Sequence, residues 1–402
     1  MNLILTDKCT NSCPYCFAAL EMQRNDHKNS ISRENFYIFM SYVEKEQSPI
    51  DVNVIGGEPL IYKDIDYVLT KLYESPKITM FTVFTGGVVK PSVIEALSKY
   101  RTKMSCLFNV NEKDSYRNPA HFEQVITNIR YALQAGIRCG IGFNIYHHNF
   151  NGKQILNLCH EYGIDVLRFS VACPIYGKKS SFVVPPEEYV KLRHEVFDFL
   201  VECSKLNVEA LLDCPLPLCF FTDEELGVLT RLQPLVVNRL ERCHAALDIN
   251  YNLNVFRCFS LSDCTNVSLT DFQSFNQIRN YFSEQIDSRL FIPRVYDDCS
   301  ACENRHRCSG GCLSNNGLFM DLPKKVDIIN DIFSMIASGL IEQAIEKLHT
   351  IYSPTSSEYL LEAKLLISLD RKDEARILLY RCINKAFSSK ITDEAVKLLE
   401  IL

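Results

Sequence analysis

Tryptophan is absent from the 402 residues, and nothing follows from that. Other absences exclude more. No run of residues is long and apolar enough to span a bilayer. The N-terminus has no charged segment followed by an apolar stretch, so no secretion signal is expected. Positive charge is not in excess: 43 Lys and Arg face 49 Asp and Glu, for a net charge of −6. That leaves no electrostatic footprint for nucleic acid or an anionic membrane, and neither is expected as a partner. Glycine and proline nearly vanish after Val326, where only Gly339 and Pro354 remain. Cysteine, by contrast, is abundant at 18 residues. Without a secretion signal, so many cysteines argue for a reducing, cytoplasmic location and for metal ligation rather than disulfides. The remaining composition, 47% apolar and 23% charged, is that of an ordinary soluble chain, and the length suggests two or three domains.

The most telling cysteines are Cys9, Cys13 and Cys16, spaced Cys-x3-Cys-x2-Cys directly after the apolar Leu3-Ile4-Leu5. Three thiolates so spaced can hold three irons of a [4Fe–4S] cluster and leave the fourth open to a small molecule. Three buried or zinc-binding cysteines are the blander alternative. The spacing alone would arise in roughly one such chain in thirty, so further features are needed. One follows: the predicted strand Asp51–Ile55 runs into Gly56-Gly57-Glu58-Pro59. Two glycines let a backbone approach a ligand closely, a carboxylate accepts charge-assisted hydrogen bonds from an ammonium, and proline fixes the exit of the turn.

With Tyr15 before Cys16 and Phe17 after it, the loop resembles the cluster loop of the radical S-adenosylmethionine (SAM) family, Cys-x3-Cys-x-aromatic-Cys. The resemblance implies that Cys9, Cys13 and Cys16 ligate a [4Fe–4S] cluster and that Gly56, Gly57, Glu58 and Pro59 contact the SAM amino group. Tyr15 joins the same cofactor site.

The first half alternates strand and helix. Predicted strands are Asn2–Thr6, Asp51–Ile55, Ile78–Phe84, Lys103–Asn109, Arg138–Ile145 and Ile164–Ser170. Predicted helices are Arg33–Lys45, Ile65–Tyr73, Pro91–Tyr100, Phe122–Ala135, Lys153–Tyr162 and Pro186–Leu206. Val-, Ile- and Phe-rich strands separated by helices imply a parallel sheet covered by helices. Six such units are similar to the family's partial (β/α)6 TIM-type barrel, an α/β fold, expected over residues 1–206. In barrels of this kind the reactive groups sit at the C-terminal strand ends. Thr85, Asn109, Asn144, Arg168 and Ser170 lie there and are further expected SAM contacts. Each is equally readable as a polar residue that satisfies backbone. Arg168, in the apolar run Val166–Phe169, needs a partner if buried.

Residues 207–325 lose this rhythm and gain cysteines, ending in Cys299-x2-Cys302-x5-Cys308-x3-Cys312 after Cys243 and Cys258-x5-Cys264. The seven resemble the SPASM extension, which in relatives binds two auxiliary [4Fe–4S] clusters. The resemblance implies Cys243, Cys258, Cys264 and Cys312 for the first, and Cys299, Cys302 and Cys308 for the second. A structural zinc ribbon, with His306 as a ligand, is the alternative. The eighth cysteine of relatives is missing, and Asp321, Asp327, Cys214 and Cys219 are the open choices for the last ligand. Cys106, Cys139, Cys159, Cys173, Cys203 and Cys382 sit in apolar segments and read as small buried residues.

Residues 326–402 carry apolar residues at helical spacing. The segment Gly339–Leu348 is echoed by Arg371–Leu379, with Ala344 over Ala375. This looks like a short tetratricopeptide-type (TPR-like) helical repeat, a surface suited to a peptide or protein, or else a simple cap.

Together these features are similar to a radical SAM/SPASM peptide-modifying enzyme, a maturase of ribosomal precursor peptides. The resemblance implies an oxidoreductase that makes a crosslink, thioether or related oxidation, fed by an electron donor such as flavodoxin or ferredoxin. A sulfatase maturase is a weaker match, because Phe259 follows Cys258 where that family has aspartate. Radical chemistry on a small molecule and a zinc-stabilised scaffold without catalysis are also compatible with these residues. The first strand begins at residue 2, so a leader peptide is expected to be held elsewhere than on an N-terminal recognition domain.

Overall fold

The computed structural model describes residues 1–16, 18, 29–176, 182–184, 188–240, 243–265, 267–287, 302, 304, 308, 310–317, 325–351, 356–385 and 389–402. Phe17, Cys299, His306 and Asp321 fall outside them, as does the side chain of Asp327.

Seven parallel strands form the frame: β1 (Asn2–Ile4), β2 (Ile50–Ile55), β3 (Ile78–Thr85), β4 (Met104–Asn109), β5 (Arg138–Ile145), β6 (Val166–Val171) and β7 (Glu209–Leu212). Their order in the sheet is their order in the chain. Helices α1 (Arg33–Val43), α2 (Ile65–Glu74), α3 (Pro91–Ala96), α4 (Pro119–Gln134), α5 (Gly152–Tyr162) and α6 (Tyr189–Lys205) make the crossovers. Local chemistry sets their ends. The Ser32 hydroxyl accepts from the Asn35 N–H at 3.0 Å at the start of α1, and Gly163 closes α5 at φ +62°.

The predicted strands are found with ends shifted by at most two residues. β1 is the shortest because Leu5 and Thr6 leave the ladder, Thr6 bridging instead to Ser30. β7 lies beyond the six predicted strands, and the sheet and its core run through residue 206 without a break. After α7 (Asp223–Leu232) and α8 (Pro234–Arg239), the chain returns to the opposite edge of the sheet. There β8 (Asp248–Ile249) pairs in parallel with β1, and β9 (Asn254–Phe256) and β10 (Val267–Ser268) extend the sheet antiparallel. Helix α9 (Phe275–Phe282) sets Phe275 against Phe39 and Tyr42 of α1. One hydrophobic core therefore spans Leu3 to Leu313.

Helices α10 (Lys325–Ala337), α11 (Ile341–Leu348), α12 (Ser356–Ser368), α13 (Lys372–Lys385) and α14 (Ser389–Ile401) bury a second, separate core that includes Ile332, Ala344, Leu366, Ala375 and Ala395. The two alanines matched in sequence, Ala344 and Ala375, are both fully buried. Among the described residues no helix is long and apolar enough to cross a membrane.

Candidate active site and cysteine centres

Parallel strands bring their C-terminal ends to one edge, and the loop carrying Cys9, Cys13 and Cys16 leaves that edge after β1. Backbone bonds fasten it to the turn after β2. The Gly57 N–H donates to the Thr6 carbonyl, and the Glu58 N–H to the Lys8 carbonyl, both at 2.7 Å. A Cβ on Gly56 would lie 2.7 Å from the Thr6 carbonyl oxygen. Gly56 is thus demanded by the close approach of two loops.

The three thiols share one neighbourhood. Cys9 feels the charge of Cys13, and Cys13 that of Cys16. Burial pushes the Cys9 and Cys13 thiols up to about 11, so a bound metal would be needed to hold them as thiolates. Tyr15 is buried beside them, its hydroxyl against the Cys13 sulfur and its ring 5.2 Å from that of Tyr146. A hollow beside Cys13 is bounded by Asn11, Tyr15, Tyr116, Asn118 and His121. A second hollow, at the ends of β1 and β2, is lined by Thr6, Asp7, Gly56, Gly57, Tyr251 and Phe259.

Glu58 is held inside the fold. Its carboxylate is fully buried and points inward. It accepts from the Thr85 hydroxyl at 2.9 Å, the Gly86 N–H at 2.8 Å and the Leu60 N–H at 3.1 Å. These donors fix the carboxylate in place. Glu58 and Thr85 act as a brace between the ends of β2 and β3, and burial raises the Glu58 carboxyl to about 7.

Asn144 and Ser170 are joined across β5 and β6 by a 2.8 Å hydrogen bond from the Ser170 hydroxyl to the Asn144 side-chain oxygen. Asn109 ends β4 next to Gly142, where a Cβ would meet its side-chain oxygen at 2.7 Å. Arg168 has its partner in Asp213 and lies 4.7 Å from the centre of the Phe84 ring, half-exposed rather than aimed alone at a ligand. Sequence reasoning passed over Asn111. It is fully buried, and its amide donates to the Asn144 carbonyl at 2.8 Å.

Downstream, the structure brings further cysteines to one of the implied ligands. Cys312 lies with Cys173 and Cys214, all three sulfurs within 4.8 Å of one another. Cys243 adjoins Cys312: its hydrogen bond with Cys312 and the neighbouring Arg257 bring its thiol down to about 6 despite burial. Cys173 is therefore not merely a small apolar filler. Cys258 is within electrostatic reach of Cys243. Cys264 stands apart from that group, and burial together with the neighbouring Asp263 raises its thiol. Cys302 is exposed and Cys308 partly buried, whereas Cys299 lies outside the described residues.

Residues 3–171 match the family model of the radical SAM superfamily, and the chain carries a radical SAM domain there. It is similar to GTP 3',8-cyclase of Petrotoga mobilis, 26% identical over 141 residues, which are 34% of this chain and 43% of that protein. It is also similar to GTP 3',8-cyclase of Clostridium perfringens, 26% identical over 211 residues, 49% of this chain and 63% of the relative. The chain spans about half the length of the curated relatives it matches. Among solved structures it resembles Streptococcus suis SuiB bound to S-adenosylmethionine, with TM-score 0.54, 17% identity and coverage of 78% of this chain and 72% of that one. SuiB bound to its precursor peptide SuiA matches equally well, at TM-score 0.54 and 18% identity over 78% and 71%. The native anSMEcpe structure with bound AdoMet has TM-score 0.58 and 15% identity over 85% and 98%. At these identities the likeness is one of fold.

Proposed function

We propose, from the radical SAM domain over residues 3–171, that this chain is a radical SAM enzyme that oxidatively modifies a peptide made as a ribosomal precursor. The observation that carries the reading is the placement of Cys9, Cys13 and Cys16 on a loop after β1, fastened to the Gly56–Glu58 turn at the C-terminal edge of a parallel sheet. Three neighbouring sulfur donors fit a [4Fe–4S] cluster with one iron left for SAM. Bound there, the cluster and SAM would supply a 5′-deoxyadenosyl radical able to take hydrogen from an unactivated C–H bond.

The chain's own part is positional. The Thr6–Lys8 backbone holds the cysteine loop against the Gly56–Glu58 turn, and the Glu58–Thr85 brace keeps that turn in place. Asn109, Asn144 and Ser170 offer polar groups to the ribose and carboxylate of SAM. Auxiliary metal held by cysteines of the downstream region would supply a route for the second electron, with flavodoxin or ferredoxin as external donor. A peptide substrate is supported by the fold shared with SuiB, which is seen with its precursor peptide SuiA. Helices α10–α14 are the segment we assign to leader or partner binding. A second reading, radical chemistry on a small molecule, is favoured by the similarity to GTP 3',8-cyclases.

Changing Cys9, Cys13 and Cys16 together to alanine is expected to abolish reductive release of 5′-deoxyadenosine from SAM while the remaining metal stays bound. Continued 5′-deoxyadenosine production by the triple variant would rule the assignment out. Incubating the reconstituted wild type with candidate precursor peptides and with GTP, and following product mass, separates the two substrate readings.

A further inference from the structure

Thiols are weak hydrogen-bonding groups, and packing gives no reason for three of them to converge with a fourth alongside. Here Cys173, Cys214 and Cys312 have sulfurs within 4.8 Å of one another, and the Cys312 sulfur is also in hydrogen-bond contact with Cys243. Three sulfurs around one point, with a fourth touching one of them, are a donor set for a thiophilic metal.

Separate features of the fold aim them there. Cys173 and Cys214 each stand two positions past the end of neighbouring parallel strands. β6 ends at Val171 and β7 at Leu212, and Phe169 sits opposite Leu212. Cys312 arrives over Gly310 and Gly311, at φ +76° and +87°. A Cβ on Gly311 would lie 2.8 Å from Pro217 Cδ and 3.1 Å from the Pro215 carbonyl oxygen. Only glycine lets this turn close upon the loop that holds Cys214. Cys243 is gripped by Arg257, which donates to its sulfur at 3.3 Å and to its carbonyl at 2.8 Å. Arg257 is wholly buried, and a buried guanidinium needs anions around it. Asp287 is one, and a metal-bound thiolate at Cys243 is a second.

We propose that Cys173, Cys214, Cys243 and Cys312 jointly hold one buried metal centre, two of whose four ligands come from the strand ends of the sheet itself. Cys258 and Cys264 are then not ligands of this centre. A metal–sulfur distance of about 2.3 Å sets a tetrahedral edge of about 3.8 Å, which the three close sulfurs approach, while Cys243 stands outside that group against Cys312 and would have to draw in to complete a single-ion site. An iron–sulfur cluster would take the same four thiolates spread further apart. The centre uses none of Cys9, Cys13 or Cys16, and it stands whether the substrate is a peptide or a small molecule.

The test is metal and acid-labile sulfide analysis of the anaerobically purified full chain, comparing the wild type with C173S/C214S and C258S/C264S. C173S/C214S is expected to lack either one zinc or about four irons with their sulfide, and C258S/C264S to retain them. A full complement in C173S/C214S, or the loss of that centre in C258S/C264S, overturns the proposal. Should C173S/C214S fail to fold, wild-type protein decides. Alkylation before and after metal removal, read by mass spectrometry, should show Cys173, Cys214, Cys243 and Cys312 becoming reactive together. Equal labelling of Cys173 and Cys214 in the two states would overturn it.

Discussion

Glu58 holds a carboxyl group whose folded value is about 7 against an ordinary 4.5, because it is fully buried. Between those values the folded protein binds more protons than the unfolded chain, so this group makes stability fall as pH rises from about 5 to 7 and adds nothing further above that. The full effect is on the order of 3 kcal/mol. Glu58→Gln keeps the shape and removes the titration. Chemical denaturation of metal-free wild type and variant at pH 5 and pH 8 should show the wild type losing more stability between the two. An identical loss in both proteins would mean that Glu58 does not titrate in this range.

At the scale of elements, the glycine turn before Cys312 and the glycine that ends α5 make a controlled pair. Gly311 and Gly163 both have positive φ, +87° and +62°. A Cβ on Gly163 meets nothing within 4 Å, whereas on Gly311 it runs into Pro215 and Pro217. Gly163→Ala should cost only the backbone strain, about 1 kcal/mol. Gly311→Ala adds a clash and should cost several kcal/mol more than that. It should also loosen the loop that carries Cys312. Melting temperatures of the two variants, with the rate of metal loss to a chelator, check this. Equal melting temperatures would show that the loop over Pro215–Pro217 yields easily.

The whole molecule is two cores in contact. The C-terminal helices meet the barrel along a cavity of about 470 Å³. Arg193, His194, Glu224 and Glu225 line one side of it, and His349, Glu362 and Arg381 the other. Arg381 reaches Glu224 at 4.0 Å, and exposed pairs of this kind contribute little to stability. Because Leu3–Leu313 form a core of their own, a chain ending before Lys325 should fold, keep its metal and cleave SAM. If α10–α14 bind the leader, that shortened chain should lose turnover of precursor peptide at limiting concentration. Turnover equal to wild type would make these helices a cap only.

What the sequence determined by itself was local. Strand and helix periodicity, the Cys9–Cys16 loop after β1 and the amphipathic helices past residue 325 are patterns within short windows, and the folded chain keeps the strands within two residues of where those patterns put them. Contacts between distant segments were decided only by the tertiary structure. Nothing near Asp248 announces that β8 will pair with β1, since a two-residue strand carries no period. The bonds from Thr85 and Gly86 to Glu58 were not legible, because those residues belong to another strand end. Cys173 read as a buried apolar residue because its neighbours in sequence are apolar. Its neighbours in space are Cys214, placed by parallel pairing of β6 and β7, and Cys312, brought in by a turn that only glycine can make.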